Sequence, residues 1–254
     1  MATRARRSPR RTDALTRERI IEAAVELLDT AGEGGLTFRA LTERFATGPG
    51  AIYWHVANKG ELLAAATEAV VAAALPTGPE AGPATASQKT PQKAPQKASQ
   101  KAPEKAPENA PQEQIRTVAL GLFEAIEAHP WLATQLTGQL ARNARQSVTP
   151  RIFEAIGRRV QALGVPESAW FTATSALVHY ILGAAGQNAA NNETGRALGP
   201  DADRGQYLDA VSRTWEELDP GEYPFTRAVA AQVRDHDDRE QFLAGVDLIL
   251  RACL

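Results

Sequence analysis

The chain has 254 residues, 43% of them hydrophobic, with a formal net charge of −2. That is enough apolar side chain for one medium core, or for a small domain beside a larger one, and a globular protein is expected. No apolar run approaches the roughly 18 residues of a membrane span, and the one cysteine, Cys253, excludes an internal disulfide or a Cys-based metal site. The basic opening "MATRARRSPRR" is followed by no apolar stretch, so it does not read as a secretory signal. A cytoplasmic protein with no membrane partner and no cofactor is expected.

Charge is unevenly spread. Residues 1–60 hold ten Arg or Lys against seven Asp or Glu, whereas 115–254 hold thirteen against seventeen. Arg4, Arg6, Arg7, Arg10 and Arg11 fall in eleven residues without an acid, the composition either of a solvated tail or of an arm reaching for phosphate or an A·T minor groove. Residues 1–14 are therefore expected to form a disordered basic arm.

Four helices are expected over 15–75. The first starts at Thr16 as N-cap, carries Ile21, Val25 and Leu28 on one face and stops at Gly32. The second runs from about Thr37 to Phe45, with Leu41 and Phe45 inward. The third, "GAIYWHV", follows the turn "ATGPG", where proline suits a helix start. The fourth opens with Asn58 and Glu61 in capping-box spacing. If Ile52 and Val56 define the buried side of the third helix, then at about 100° per residue Trp54 and Gly50 point outward, with Ala51, Tyr53 and His55 on the flanks. A large aromatic aimed at solvent beside residues with almost no side chain suits a flat, close-fitting partner. Two short helices joined by a tight turn match a helix-turn-helix whose second helix enters a DNA major groove.

Residues 76–112 contain no aromatic and no branched aliphatic side chain, and repeat a four-residue unit, "PQKAPQKASQKAPEKAPENAPQ". Regular prolines and the lack of burial point to a disordered linker. Residues 113–254 again read as helical throughout, with Ile115, Ala119, Leu122 and Ile126 on one stripe and Asp237 and Glu240 in capping-box spacing. No strand pattern competes. The fold class is all-α: an N-terminal, three-helix, homeodomain-like helix-turn-helix domain and a larger helical domain.

The stretch "LTFRALTERFATGPGAIYWHVANKGEL" resembles the DNA-binding domain of the tetracycline repressor (TetR) family. "HPWLATQL", "VHYILGAAGQNAA" and "FLAGVDLIL" resemble the ligand-binding, dimerising domain of its tetracycline-repressor subfamily. The resemblance implies DNA contacts from Thr37, Arg39, Pro49, Gly50, Ala51, Tyr53, Trp54, His55 and Lys59. The side-chain chemistry agrees: Arg39 forks onto a guanine edge or a phosphate, and Tyr53 and His55 donate to phosphate oxygens. Lys59 sits at a helix N-terminus, which already favours phosphate. "TGPG" lacks the polar side chains that many members of the family carry at the start of the recognition helix.

A ligand pocket is expected from Trp131, Gln135, Gln139, Phe153, His179, Gln187 and Asn188, with His179 as a buried imidazole in need of a partner. A dimer interface is expected from Ala176, Tyr180, Ile181, Ala184, Phe242, Val246, Ile249 and Leu250, since two long helices are too apolar for one covered face each. By the resemblance, the chain is a ligand-responsive homodimeric repressor of palindromic operator DNA, released by a small hydrophobic effector. A regulator of the same fold without an inducer is the alternative. An all-α enzyme is disfavoured, because no phosphate loop, metal spacing or nucleophile arrangement is visible.

Overall fold

The computed structural model describes residues 15–76, 110–140, 148–197 and 204–253. The expected basic arm 1–14 and nearly all of the expected linker lie outside these residues. Among the described residues there is no strand; eleven α-helices and one 3₁₀ turn follow one another. They divide into two compact units, one holding residues up to 72 together with 128–149, the other 73–127 with 150 onward.

The first unit contains α1 (Arg17–Gly35), α2 (Phe38–Phe45), α3 (Pro49–Tyr53), most of α4 (Lys59–Ala74) and α6 (Trp131–Leu140). The Thr16 hydroxyl caps α1 by accepting from Arg19 N, as the sequence predicts. The continuous helix breaks at Gly32, where the sequence places its stop: φ of 62° and ψ of −170° are non-helical, a conformation glycine adopts without steric cost, and a short further turn runs on to Gly35. Its buried face is Ile20, Ala23, Ala24 and Leu28, so the predicted stripe of Ile21 and Val25 is rotated by one residue. The small Ala23 and Ala24 let the neighbouring helices approach, and this draws the axis to their side.

Ile20, Ala24 and Leu28 meet Leu36, Leu41, Ile52, Val56, Leu62 and Ala66 in one core, against which Phe38, Phe45 and Trp131 are partly buried. α2 ends at Ala46, whose φ of 48° and ψ of 45° are left-handed. The turn is closed by Ala46 N donating to Glu43 O and by Thr47 N donating to Thr42 O. Asn58 Oδ1 accepts from Glu61 N at 2.9 Å, while Glu61 Oε2 accepts from Ala57 N at 2.8 Å. The expected capping box is thus reciprocal, reaching back one residue further than the usual form.

The second unit contains α5 (Ala110–Ala128), α7 (Thr149–Ala162), α8 (Trp170–Ala197, after a 3₁₀ turn Glu167–Ala169), α9 (Arg204–Glu216), α10 (Pro224–Arg234) and α11 (Asp238–Ala252). Ile115, Ala119, Leu122 and Ile126 are all fully buried, as their spacing predicts. α11 packs on α8, and α9 pairs with α10. An aromatic column joins three helices: Phe123 of α5 lies 4.6 Å from Phe242 of α11, which lies 5.9 Å from Tyr180 of α8. Tyr180 OH also donates to Phe242 O at 3.0 Å. The Asp237 carboxylate caps α11 by accepting from Glu240 N at 2.7 Å.

Arg116 of α5 grips Asp247 of α11 with two guanidinium nitrogens, Nε to Oδ1 at 2.7 Å and Nη2 to Oδ2. That hydrogen bonding, with the opposite charge of Arg116, holds the Asp247 carboxyl below its ordinary 3.8 although burial opposes it. A depressed carboxyl stabilises the fold above its ordinary value, and this contribution disappears as pH falls through the lower folded value. Asp247→Asn is therefore expected to cost about 1 kcal/mol at neutral pH, allowing for solvent screening. Denaturant titrations should show the difference shrinking below about pH 4.

Candidate nucleic-acid interface

α3 is too short to hold itself helical in water. Its conformation is imposed by Ile52, fully buried, and by Val56 just beyond its end. The expected helix through Val56 is cut to five residues, followed by a tightened turn in which His55 N donates to Ile52 O at 2.9 Å. With Ile52 pinned inward, Trp54 is left 88% exposed and Tyr53 53% exposed. Gly48, Pro49 and Gly50 are exposed around them, with Ala51 half-buried. This gives an open backbone edge next to a projecting indole.

The Tyr53 ring lies flat on Phe38 of α2, with centroids 4.4 Å apart and planes 9° from parallel. The stack fixes the ring while the residue as a whole stays half exposed. Thr37 is the N-cap of α2, its hydroxyl oxygen accepting from Ala40 N at 3.1 Å. Arg39 donates from Nε to Glu43 Oε1 at 2.8 Å, with its side chain 87% exposed, and that hydrogen bond together with the carboxylate's charge pushes its pKa up. Lys59 Nζ donates to Glu33 O at 2.6 Å, next to the kink in α1. Its ammonium thus ties α4 to α1, with further N–H donors left for an anion. Thr37, Arg39, Pro49, Gly50, Ala51, Tyr53, Trp54, His55 and Lys59 all lie in the first unit, on α2 and its N-cap, on α3 and the turn that follows it, and at the start of α4. Phe38 and Glu43 escaped the sequence reading, although Arg39 and Glu43 stand at i, i+4, the spacing of a helical ion pair.

The expected ligand set is not brought together in one unit. Trp131 and Gln135 belong to the first. Trp131 Nε1 donates to Asp29 Oδ1 at 2.7 Å, and His129 Nδ1 lies 2.7 Å from the same oxygen. Gln135 Nε2 donates to Glu33 Oε2 at 3.1 Å. These bonds moor α6 to α1, so the polar groups of both side chains are engaged by carboxylates of the first unit. Gln139 lies in α6, and its side chain is outside the described residues. Phe153, His179, Gln187 and Asn188 lie in the second unit.

Phe153 lines a groove of ≈ 700 Å³ between α7 and α8, with Gly157, Trp170, Phe171 and Thr174. His179 and Gln187 are exposed, so the expectation of a buried imidazole is corrected: both stand on the outward face of α8. Asn188 is only 7% exposed, and its Oδ1 has no hydrogen-bond partner.

The expected dimer residues separate in the same way. Ile181, Phe242, Val246 and Leu250 are buried within the single chain, and Tyr180 is bonded to α11. The four buried side chains are corrected to intrachain core, while Tyr180 stays half-buried. Ala184 and Ile249 are half-buried, and Ala176 is exposed. The bulky face of α8 turns to α11 and α5, while its small face, Thr172, Ala176, His179, Gly183 and Gln187, stays open. On α11, Ala244 and the 63% exposed Leu248 face solvent likewise. Among the described residues no group of side chains with metal-ligand character occurs, and no helix is long and apolar enough to cross a membrane.

Comparisons with known proteins agree with this architecture. Residues 20–66 match the model of the bacterial regulatory proteins of the tetR family, and residues 102–252 match that of the tetracyclin repressor-like C-terminal domain. The chain is 47% identical over 57 residues to the tetracycline repressor protein class C of Escherichia coli, an alignment covering 22% of this chain and 26% of that one. It thus spans only about a quarter of the length of that curated relative. The solved structure of the transcriptional regulator SCO7222, a TetR from Streptomyces coelicolor, is 58% identical, with a TM-score of 0.75 over 94% of this chain and 98% of the other. BioQ, solved with its double-stranded DNA operator, is 26% identical with a TM-score of 0.51, over 71% of this chain and 89% of the other. A helix-turn-helix of this geometry, followed by a helical domain matched over most of its length, settles the kinship: the chain belongs to the TetR family of bacterial transcriptional regulators.

Proposed function

We propose that the protein is a homodimeric transcriptional repressor that reads a palindromic operator with α2, the turn and α3. The observation that carries this reading is the anchoring of α3 by Ile52 and Val56, which turns Trp54, Tyr53 and the bare Gly50–Ala51 edge outward together. Thr37, Arg39, Pro49, Gly50, Ala51, Tyr53, Trp54, His55 and Lys59 are then the DNA-contacting set. Pro49, Gly50 and Ala51 give clearance and contact with a thymine methyl, while Tyr53, His55 and Lys59 hold phosphates. Arg39 exchanges Glu43 for a guanine edge or a phosphate.

Dimerisation sets two such heads about one DNA turn, ≈ 34 Å, or a multiple of it apart. The open face of α8, where Ala176 and Gly183 are small enough for a close helix approach, and the exposed Leu248 of α11 support a partner copy there. A small effector in the second unit lowers operator affinity through its different affinity for the two states. Asn188 supports this, because a buried amide oxygen without a donor is costly, and a ligand N–H or O–H removes the cost. The bacterial cytoplasm is the setting this reading implies, and a regulatory rather than catalytic role goes with it.

Gel-shift titration on the DNA upstream of the chain's own coding region tests the proposal. Tyr53→Ala and Lys59→Ala are each expected to weaken binding about tenfold, and Lys59→Ala alone to flatten its salt dependence by about one unit of log–log slope, because a neutral hydroxyl releases no counterion. Wild-type chain that binds no duplex at low salt would rule the proposal out. Adding small hydrophobic compounds to the same titration distinguishes an effector-released repressor from a regulator without an inducer.

A further inference from the structure

We infer that Glu43 is a specificity-determining residue of the reading head: its carboxylate holds Arg39 back from arbitrarily placed phosphate and yields it only to a duplex that offers a better partner. The inference rests on the DNA-binding reading above and adds a residue to it.

Charge is scarce along the corner and α3. Residues 46–58, from the turn to the approach of α4, contain no Asp, Glu, Lys or Arg. The charged pairs of α2 precede this stretch, and they differ in kind. Arg44 reaches Glu26 of α1, so that pair ties two helices together and serves the fold. Arg39 bonds Glu43 of its own helix, Nε to Oε1 at 2.8 Å, with the side chains 87% and 64% exposed. A pair with both ends on one helix and in solvent adds little to stability. α2 is already held by the Thr37 cap and by the fully buried Leu41.

Both residues lie close to α3. Phe38, adjacent to Arg39, stacks on Tyr53 with ring centroids 4.4 Å apart. Glu43 closes the corner that leads into α3, its carbonyl accepting from Ala46 N at 3.3 Å. A carboxylate in this place opposes the approach of a polyanion. Residues 15–72 hold eight carboxylates against five cations, and the fold has little need of this one.

Its effect is a threshold on Arg39. The bond runs through Nε rather than through the terminal amino groups, the fork that meets guanine O6 and N7 or a phosphate. On a duplex of arbitrary sequence, Arg39 would exchange a carboxylate at hydrogen-bond distance for a phosphate at whatever distance a loose encounter leaves. It stays on Glu43 and releases no counterion. On a duplex whose guanine edge or phosphate lies in register, a bidentate bond exceeds the exposed pair and Arg39 leaves. Glu43 thereby weakens binding to wrong sequences more than to the right one, which is discrimination achieved by penalising the alternatives.

The test uses the full chain and two duplexes, one selected by wild type from a random-sequence pool and one with the same bases in scrambled order. Glu43→Gln keeps the shape of the side chain and removes its charge. Thermal unfolding should stay within about 2 °C of wild type, since an exposed i, i+4 pair contributes little. On the scrambled duplex the variant is expected to bind about five- to tenfold more tightly at low salt, with a log–log salt slope steeper by about one, because Arg39 now releases a counterion. On the selected duplex the expected gain is about twofold with the slope unchanged, so discrimination narrows. In an Arg39→Ala background, Glu43→Gln is expected to change binding to the scrambled duplex less than about twofold.

An equal gain in both backgrounds assigns the effect to repulsion between the carboxylate and phosphate, and overturns the inference. A Glu43→Gln chain that matches wild type on the scrambled duplex, or that loses affinity for the selected duplex alone, overturns it too. Each of these results leaves the helix-turn-helix reading intact. Wild type that selects no duplex from the pool overturns both.

Discussion

Gly121→Ala is expected to lower the stability of the chain by about 1–3 kcal/mol, the usual cost of forcing a methyl group into a packed contact. A β-carbon at this position of α5 would stand 2.2 Å from the carbonyl oxygen of Ala74, the last residue of α4. No rotamer change relieves the clash, because the obstacle is backbone, so the two helices must separate. The substitution also carries an opposing benefit, since alanine is better than glycine inside a helix by about 0.8–1.0 kcal/mol. Gly138→Ala isolates that benefit: a β-carbon there meets nothing within 4 Å. Thermal unfolding of the pair should show Gly121→Ala falling by about 2–4 °C per kcal/mol lost, with Gly138→Ala level or slightly raised. A stable Gly121→Ala chain would mean that α4 and α5 do not meet at this point.

Ile52→Ala is expected to cost about 2–5 kcal/mol, the range for truncating a fully buried aliphatic side chain, and to abolish DNA binding. Ile52 has no exposed surface and is the one fully buried side chain within α3 itself. Removing its side chain leaves a five-residue helix without an anchor, and Trp54, Tyr53 and the Gly50–Ala51 edge lose their common orientation. Denaturant titration measures the first effect. Gel shift at a temperature where the variant remains folded measures the second. Leu41→Ala, on the other side of the turn in the same core, should match it in stability and weaken binding as well, because the angle between α2 and α3 is held from both sides.

The sequence displayed most of the helical order, because capping residues and apolar spacing are local signals. Thr16, Asp237 and the Asn58–Glu61 pair cap where they were expected, and the stripe from Ile115 to Ile126 is buried throughout. The outward Trp54 follows from counting round one turn. What escaped was partner choice. α8 is apolar over much of its length, and nothing local tells whether its bulky face meets its own chain or a second copy. Ile181, Phe242 and Leu250 therefore read as an outer surface, whereas they are the inner one and the small Ala176 face is open. Trp131 and Gln135 read as pocket walls because their carboxylate partners, Asp29 and Glu33, are about a hundred residues away in sequence. Phe38 went unnoticed, since its stack on Tyr53 crosses between two helices.

Ala46 closes α2 in a left-handed conformation that suits glycine and costs an alanine about 1–2 kcal/mol. Its own preference would open the bend between the two helices of the reading head. The bend persists because Leu41 on one side and Ile52 on the other are both sunk in the same core. The corner is thus clamped from its two ends rather than set by the residue at its apex. Release at either end would let the apex spring, so the angle of the reading head and the integrity of its core should fail as a single event, with no partly bent state between them.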